Sequence, residues 1–222
     1  MKRTGRLRIY ESRPGLFVVV EGADASGKST LVKRLVHHYG RSGQKVRLVR
    51  EPGGTKLSEK VRKLLLDVRQ DISARAELFL YLAARAQLSD DVIIPALDKG
   101  EMVIADRFSL STFAYQSAGR GLELSMVAAS DSYARGELSP DLTIVLTVSA
   151  AEAQRRLESM AKSPDRIEAE SREFHNRVRA FYSRWPKLRA GYVLIDSAEG
   201  TDAVFHEACR KIDRTVRRRM EQ

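Results

Sequence analysis

The stretch from Leu16 to Thr30, LFVVVEGADASGKST, constrains this chain more than any other. Its five apolar residues, Leu16, Phe17, Val18, Val19 and Val20, read as a strand covered on both faces, because a strand with one wet face alternates apolar with polar. Gly22 to Ser29 then fits the spacing G-x-x-x-x-G-K-[ST], and a helix-forming run starts at Leu31. Glycines let the turn curl so that backbone N–H groups face inward around phosphate oxygens. The helix adds the positive end of its dipole, Lys28 reaches the outer phosphates, and Ser29 offers a hydroxyl to Mg²⁺. Strand, loop and helix come in the order that a nucleotide phosphate site requires.

A chain of 222 residues that is 43% hydrophobic can supply the core of one α/β domain. A single cysteine, Cys209, excludes an internal disulfide framework or a cysteine metal cluster and suits a reducing, cytoplasmic setting. No apolar run approaches the ~20 residues of a membrane span. Residues 1–15 form a basic N-terminal extension without the apolar segment of a signal peptide, ending at Pro14-Gly15. Much of the net charge of +10 sits at the ends: Lys2, Arg3, Arg6 and Arg8, then Arg210, Lys211, Arg214, Arg217, Arg218 and Arg219. Without a nucleic-acid-binding motif, this pattern reads as a basic phosphate site plus solvated helix faces, not as a DNA or RNA partner.

Along the chain, Leu31–Tyr39 predicts a helix ending near Gly40, and Lys45–Arg50 a second strand. Arg50-Glu51-Pro52-Gly53-Gly54-Thr55 is a loop, since Pro and two glycines forbid a helix interior. Leu57–Val68 returns to helical spacing. A long helix is expected from Ser73, a cap with Glu77 as its partner, to about Leu97, kinked by Pro95. Its apolar stripe of Leu78, Tyr81, Leu82, Leu88 and Val92 is interrupted by Arg85, which either snorkels to solvent or meets a polar ligand. Met102–Ala105 is a third strand, with Asp106 and Arg107 at its carboxyl end, where ligands bind in open α/β sheets. Strands at Leu142–Thr147 and Tyr192–Ile195 follow; helices span Glu123–Arg135, Ala150–Met160, Arg166–Leu188 and Thr201–Arg219. Five buried strands separated by helices predict a parallel sheet in a three-layer α/β/α arrangement, one domain over residues 16–222 with a mobile flap about 155–166.

Several further stretches narrow the class: Arg50-Glu-Pro-Gly-Gly-Thr55, Ala76-Glu77, Ala83-Ala-Arg85, Asp106-Arg107, Ser111-Thr112, Ala114-Tyr115-Gln116, Gly119-Arg-Gly121, Pro140-Asp-Leu-Thr143 and Asp165-Arg-Ile-Glu168. Taken in order with the phosphate loop, they resemble bacterial thymidylate kinase over about residues 16 to 198, which implies a three-layer α/β/α P-loop kinase fold with a five-stranded parallel sheet. The resemblance implies transfer of the ATP γ-phosphoryl group to dTMP, giving dTDP for dTTP synthesis, with Mg²⁺ as cofactor and a homodimer whose interface includes the helix from Ser73. It assigns ATP to Gly22, Ala23, Asp24, Ala25, Ser26, Gly27, Lys28, Ser29 and Thr30, and the metal to Ser29 and Asp106. Asp24 is expected near the acceptor's 3′-hydroxyl, Arg50 and Arg107 on the dTMP phosphate, and Arg85 and Thr112 on the thymine edge. Tyr81 stands where relatives stack a phenylalanine on thymine, and Tyr115, with Gln116 beside it, crowds the 2′ position of the sugar. Catalytic weight falls on Lys28, Arg107, Asp24 and Arg166.

Three departures stand out. The fourth strand ends in Leu146-Thr147 where relatives often carry an aspartate, and Tyr81 adds a hydroxyl that needs a partner if buried. The phosphate loop carries Ala25 and Ser26 but no arginine, so a flap cation is expected over the phosphates. Arg166 is the best match, with Arg155, Arg156 and Lys162 as other choices. Asp196–Glu199 is the adenine candidate by position. The alternatives are a kinase of another nucleoside monophosphate, or a nucleotide-binding protein without activity.

Overall fold

The first strand, β1 (Phe17–Gly22), is buried along its whole length and lies at the centre of the sheet. The computed structural model describes residues 13–159, 163–188 and 190–221; residues 1–12 of the expected extension and Lys162 of the expected flap lie outside them. Five parallel strands follow the order β2-β3-β1-β4-β5, with β2 at Val46–Arg50, β3 at Met102–Asp106, β4 at Leu142–Thr147 and β5 at Tyr192–Asp196. The register pairs Val19 with Ala105 on one side and Thr143 on the other.

The unbroken apolar run of β1 has a direct cause. Val18 and Val20 face one layer, built with Leu31, Val32 and Leu35 of α1 (Lys28–Arg41) and with Ala208 and Ile212 of the last helix, Thr201–Met220. Phe17 and Val19 face the other, against Leu88, Ile93, Ala96 and Leu97. Helices therefore cover both faces, and the fold is the expected three-layer α/β/α arrangement. The outer strands are less covered than the sequence suggests: β2 exposes Leu48 at 47%, because an edge strand has a neighbour on one side only.

Between β2 and β3 run α2 (Lys56–Leu66), capped by Thr55, and α3 (Ala74–Leu88), capped by Ser73. Glu77 does not partner that cap; it turns inward and is fully buried. The expected single helix to Leu97 instead loosens into a π-helical turn at Ser89–Ile93 before α4 (Ile94–Asp98). Pro95, with no N–H to return and a ring that crowds the preceding turn, accounts for the break. After β3, α5 (Ser109–Thr112) runs into a second π-helical stretch, Phe113–Gly119, and α6 (Leu124–Arg135) follows with Glu123 as its cap. After β4 come α7 (Ala150–Ser159) and α8 (Arg172–Arg184), which starts at its Ser171 cap, six residues later than expected. The helix α9 (Thr201–Met220) closes the described chain. No helix among the described residues is long and apolar enough to cross a membrane.

Candidate functional site

The phosphate loop leaves β1 at Gly22, whose φ of 144° and surroundings both demand glycine: a Cβ there would sit 2.5 Å from the Leu146 carbonyl oxygen. Gly27, at φ 90°, turns the chain into α1. Lys28 folds back along the loop, its Nζ donating to the Ala23 carbonyl at 2.7 Å. Burial, reinforced by the nearby Arg107 charge, pushes the Lys28 ammonium down to about 8, against the pull of Asp24, Asp106 and Glu21. At the carboxyl end of β3, Asp106 Oδ2 accepts from the Ser29 hydroxyl at 3.4 Å.

Arg107 is the hub of the site. Its backbone occupies the left-handed region at φ 76°, held by its N–H on the Val20 carbonyl. That places the guanidinium across the mouth of the phosphate loop, donating to the Gly22 carbonyl at 3.2 Å, Ser111 Oγ at 3.1 Å and Asp24 Oδ1 at 2.6 Å. Tyr115, from the second π-helical stretch, donates its hydroxyl to Asp24 Oδ2 at 2.9 Å and receives an Arg107 N–H at 3.2 Å. Burial acts to raise Asp24, but Arg107, Lys28 and the Tyr115 hydrogen bond outweigh it and hold the carboxyl below its usual range. Asp24 is thus an ionised strut.

Arg85 resolves its two sequence options: it is 2% exposed and does not snorkel. Its guanidinium meets Glu51 Oε2, Thr112 Oγ1 and Asp131 Oδ1, and stacks 5.0 Å over Phe108. Gln116 is turned to Glu77, to which its Nε2 donates at 3.0 Å. Arg50, half exposed, pairs with Glu59 at 3.3 Å.

These residues border one cleft of about 400 Å³. Asp24 to Thr30 line one end, Tyr81, Arg85, Thr112 and Gln116 the other, with Arg50, Asp106, Arg107 and Tyr115 between; Gly22 and Ala23 are not among the lining residues, and the Ala23 carbonyl holds Lys28. Arg166 is not among the lining residues. Its Nη2 donates to Glu77 Oε2 at 2.6 Å and its Nε to the Leu65 carbonyl, tying the segment before α8 to α2 and α3. Arg156 stands nearer the phosphate loop, donating to the Ala25 carbonyl at 3.1 Å and to both Oγ and O of Ser197. It joins the loop to the Asp196–Glu199 turn, the adenine candidate.

Four contributors escaped the sequence reading. Glu21 is fully buried and anchors the cleft floor, accepting from the N–H groups of Phe108 and Ser111, the Ser111 hydroxyl and the Tyr182 hydroxyl. Tyr182 reaches it across 161 residues of chain, which no local pattern could reveal. Asp131 likewise enters the site through Arg85, 46 residues earlier in the chain. Arg62 lines the cleft with its Nη1 on the Pro52 carbonyl, an arginine at helical spacing behind the Pro52-Gly53-Gly54 loop being its sole signal.

Fold and cleft together define a P-loop nucleotide kinase, with the phosphate loop and Arg50, Arg62, Arg85 and Arg107 lining one cleft. The thymidylate kinase family model matches residues 20–208. The thymidylate kinase of Thermosipho africanus is 41% identical over 192 residues, covering 86% of this chain and 94% of that protein. That of Leifsonia xyli subsp. xyli is 40% identical over 210 residues, 95% of this chain and 100% of that protein. Nitrosospira multiformis supplies a third, 44% identical over 168 residues, 76% and 82% of the two chains. The chain belongs to the thymidylate kinase family.

Proposed function

We propose that this cleft carries out the family's reaction, moving the γ-phosphoryl group of ATP onto dTMP to give dTDP, with the following division of labour. Lys28, the loop amides and the amino end of α1 hold the ATP phosphates. Arg156 and the Ser197 turn border the adenine side. Arg107 and Arg50 grip the acceptor phosphate, Arg85 and Thr112 read the base, Tyr81 stacks on it, and Tyr115 excludes a 2′-hydroxyl. The supporting observation is Arg107, which bonds the phosphate-loop carbonyl of Gly22 and the Asp24–Tyr115 pair at once. One guanidinium thereby fixes the donor loop and the acceptor side in a single frame.

Phosphoryl transfer asks a protein chiefly to align donor and acceptor and to offset the spreading negative charge, so these arginines matter more than an acid–base pair. The Ser29 hydroxyl and Asp106 carboxylate, adjacent at the phosphate end, are hard oxygen donors that suit Mg²⁺. Among the described residues no three His, Cys, Asp or Glu side chains gather into a metal cage, as suits an ion held largely by phosphates and water. When bound there, Mg²⁺ supplies charge that offsets the β- and γ-phosphate oxygens.

We further infer a single cytoplasmic domain acting as a homodimer. Phe79 on α3 and Met126 and Tyr133 on α6 are exposed at 62%, 49% and 93%, on two helices that pack together through Leu78, Leu82 and Val127. A second copy of this chain would cover them. The activity test is turnover with ATP on dTMP, dUMP, dCMP and thymidine. Preference for dTMP is expected; fastest turnover on dCMP or thymidine would overturn the assignment.

A further inference from the structure

The surroundings of Arg85 exceed what stability asks for. Glu51 and Asp131 place two carboxylates, 6% and 2% exposed, against one guanidinium that is itself 2% exposed. Glu51 Oε1 is shielded from solvent and has no hydrogen-bond partner among the described residues. Burial pushes the Glu51 carboxyl up, opposed by Arg85 and reinforced by Asp131 and Glu21. Buried ion pairs of this kind are often matched or bettered in stability by apolar side chains, and a shielded acceptor without a donor is an added cost. The arrangement calls for a functional reason.

Hydrogen-bond accounting supplies one. An arginine has five N–H donors in a rigid fork. Nε and one Nη2 hydrogen go to Glu51 Oε2, and the two Nη1 hydrogens go to Thr112 Oγ1 at 2.8 Å and Asp131 Oδ1 at 2.5 Å. One Nη2 hydrogen remains. Thr112 accepts from Arg85, so its own hydroxyl hydrogen is left to donate. Asp131 is in turn held by Arg135 Nε at 3.5 Å, on the next turn of α6. The base end of the cleft therefore presents donors in fixed directions.

We propose that Glu51 and Asp131 are positioning residues that clamp the Arg85 fork from both sides, leaving one Nη2 hydrogen and the Thr112 hydroxyl to select a 4-keto over a 4-amino pyrimidine. A keto oxygen accepts from both donors, whereas an amino group turns its own hydrogens towards them. A loosely held guanidinium could swing its donors to cytosine N3, which accepts, and so admit either base. The proposal rests on the reading of this cleft as the dTMP site.

The test is steady-state kinetics of the full chain with dTMP and with dCMP at saturating ATP, for wild type, Glu51→Gln and Asp131→Asn, with thermal melting alongside. Loss of one charge-assisted hydrogen bond is expected to raise KM for dTMP about 10- to 100-fold, with kcat and KM for ATP within about threefold of wild type. The dTMP-to-dCMP ratio of kcat/KM falls at least about tenfold. Should removal of a buried charge prevent folding, Arg135→Ala loosens Asp131 from outside the cleft while leaving both buried carboxylates in place, and the same ratio is read. Variants that melt lower yet keep the wild-type ratio overturn the clamp, leaving a structural role. A wild-type protein that does not distinguish the two nucleotides overturns instead the base assignment beneath it.

Discussion

Arg107 shows how a single residue concentrates the conflict between stability and chemistry. A side chain at φ 76° costs about 1–3 kcal/mol relative to glycine, and the strain persists because the side-chain contacts hold it. Lys28 carries a second cost. Its pKa is lower folded than unfolded, so its burial costs stability below pH about 8, and that cost fades as pH rises toward the ordinary lysine range. Lys28→Met should therefore melt at a higher temperature than wild type at pH 7 while turning over at least ~10²-fold more slowly. An unchanged turnover rate would remove Lys28 from the phosphate site. In wild type, kcat/KM for ATP should decline above pH about 8 as the free protein loses this charge; a flat profile to pH 9.5 would show that the ammonium stays protonated. Tyr115 belongs to the same frame, and its replacement by Ala should narrow the preference for dTMP over its ribose counterpart by about tenfold. Equal discrimination before and after would deny the ring that role. The Gly22–Ser29 spacing could be read directly because glycine and lysine act there through their own geometry. Glu21, Tyr182 and Asp131 could not, since each acts through a partner more than 40 residues away.

Among the elements, the central strands were legible because parallel strands buried on both faces leave short apolar runs bounded by turn residues, whereas the edge strand β2 showed itself by alternation. Less legible were places where a helix changes its pitch. The π-helical stretch Phe113–Gly119 sets Tyr115 and Gln116, and nothing in FAYQSAG distinguishes it from an ordinary turn. The segment before α8 was read as helix because Asp165 and Arg166 look like a cap and first turn; Asp165 does cap, accepting from Ile167 and Glu168, but the true helix waits for Ser171. The contacts of Arg156 and Arg166 give them separate expectations. Arg156→Ala should raise KM for ATP several-fold with little change in KM for dTMP, since its partners are Ala25 and Ser197. Arg166→Ala should lower melting temperature and weaken dTMP, because Glu77 loses a buried cation. The reverse pattern, with kcat for Arg166→Ala collapsing at unchanged dTMP affinity, would return Arg166 to the donor side.

At the scale of the whole molecule, charge and apolar surface occupy different regions. Arg210, Arg214, Arg217 and Arg218 form an exposed stripe on α9, opposite the face that buries Val204, Ala208 and Ile212. Arg219, at its end, reaches Asp141 and Gly15, just before the starts of β4 and β1. That end of the stripe lies at the amino edge of the sheet, whereas the cleft lies at the carboxyl edge, so the basic surplus there is solvated surface and no part of the phosphate site. Phe79, Met126 and Tyr133 lie elsewhere, on α3 and α6. Phe79→Asp should shift sedimentation from two copies to one; an unchanged sedimentation coefficient would place the subunit contact on another face.

Arg219 has one more implication. It donates to the carbonyls of both Arg13 and Gly15, so the final turn of α9 touches the segment that leads into the central strand. The described polypeptide is nearly a closed ring, and its seam lies on the side of the sheet away from the phosphate loop. A short linker across that seam, with new ends opened in the exposed turn at Gly43, would give a circular permutant with every residue of the cleft still on an uninterrupted segment. Such a permutant should fold and phosphorylate dTMP at a rate near that of the parent, since the chemistry depends on which strands are neighbours and not on where the chain is cut.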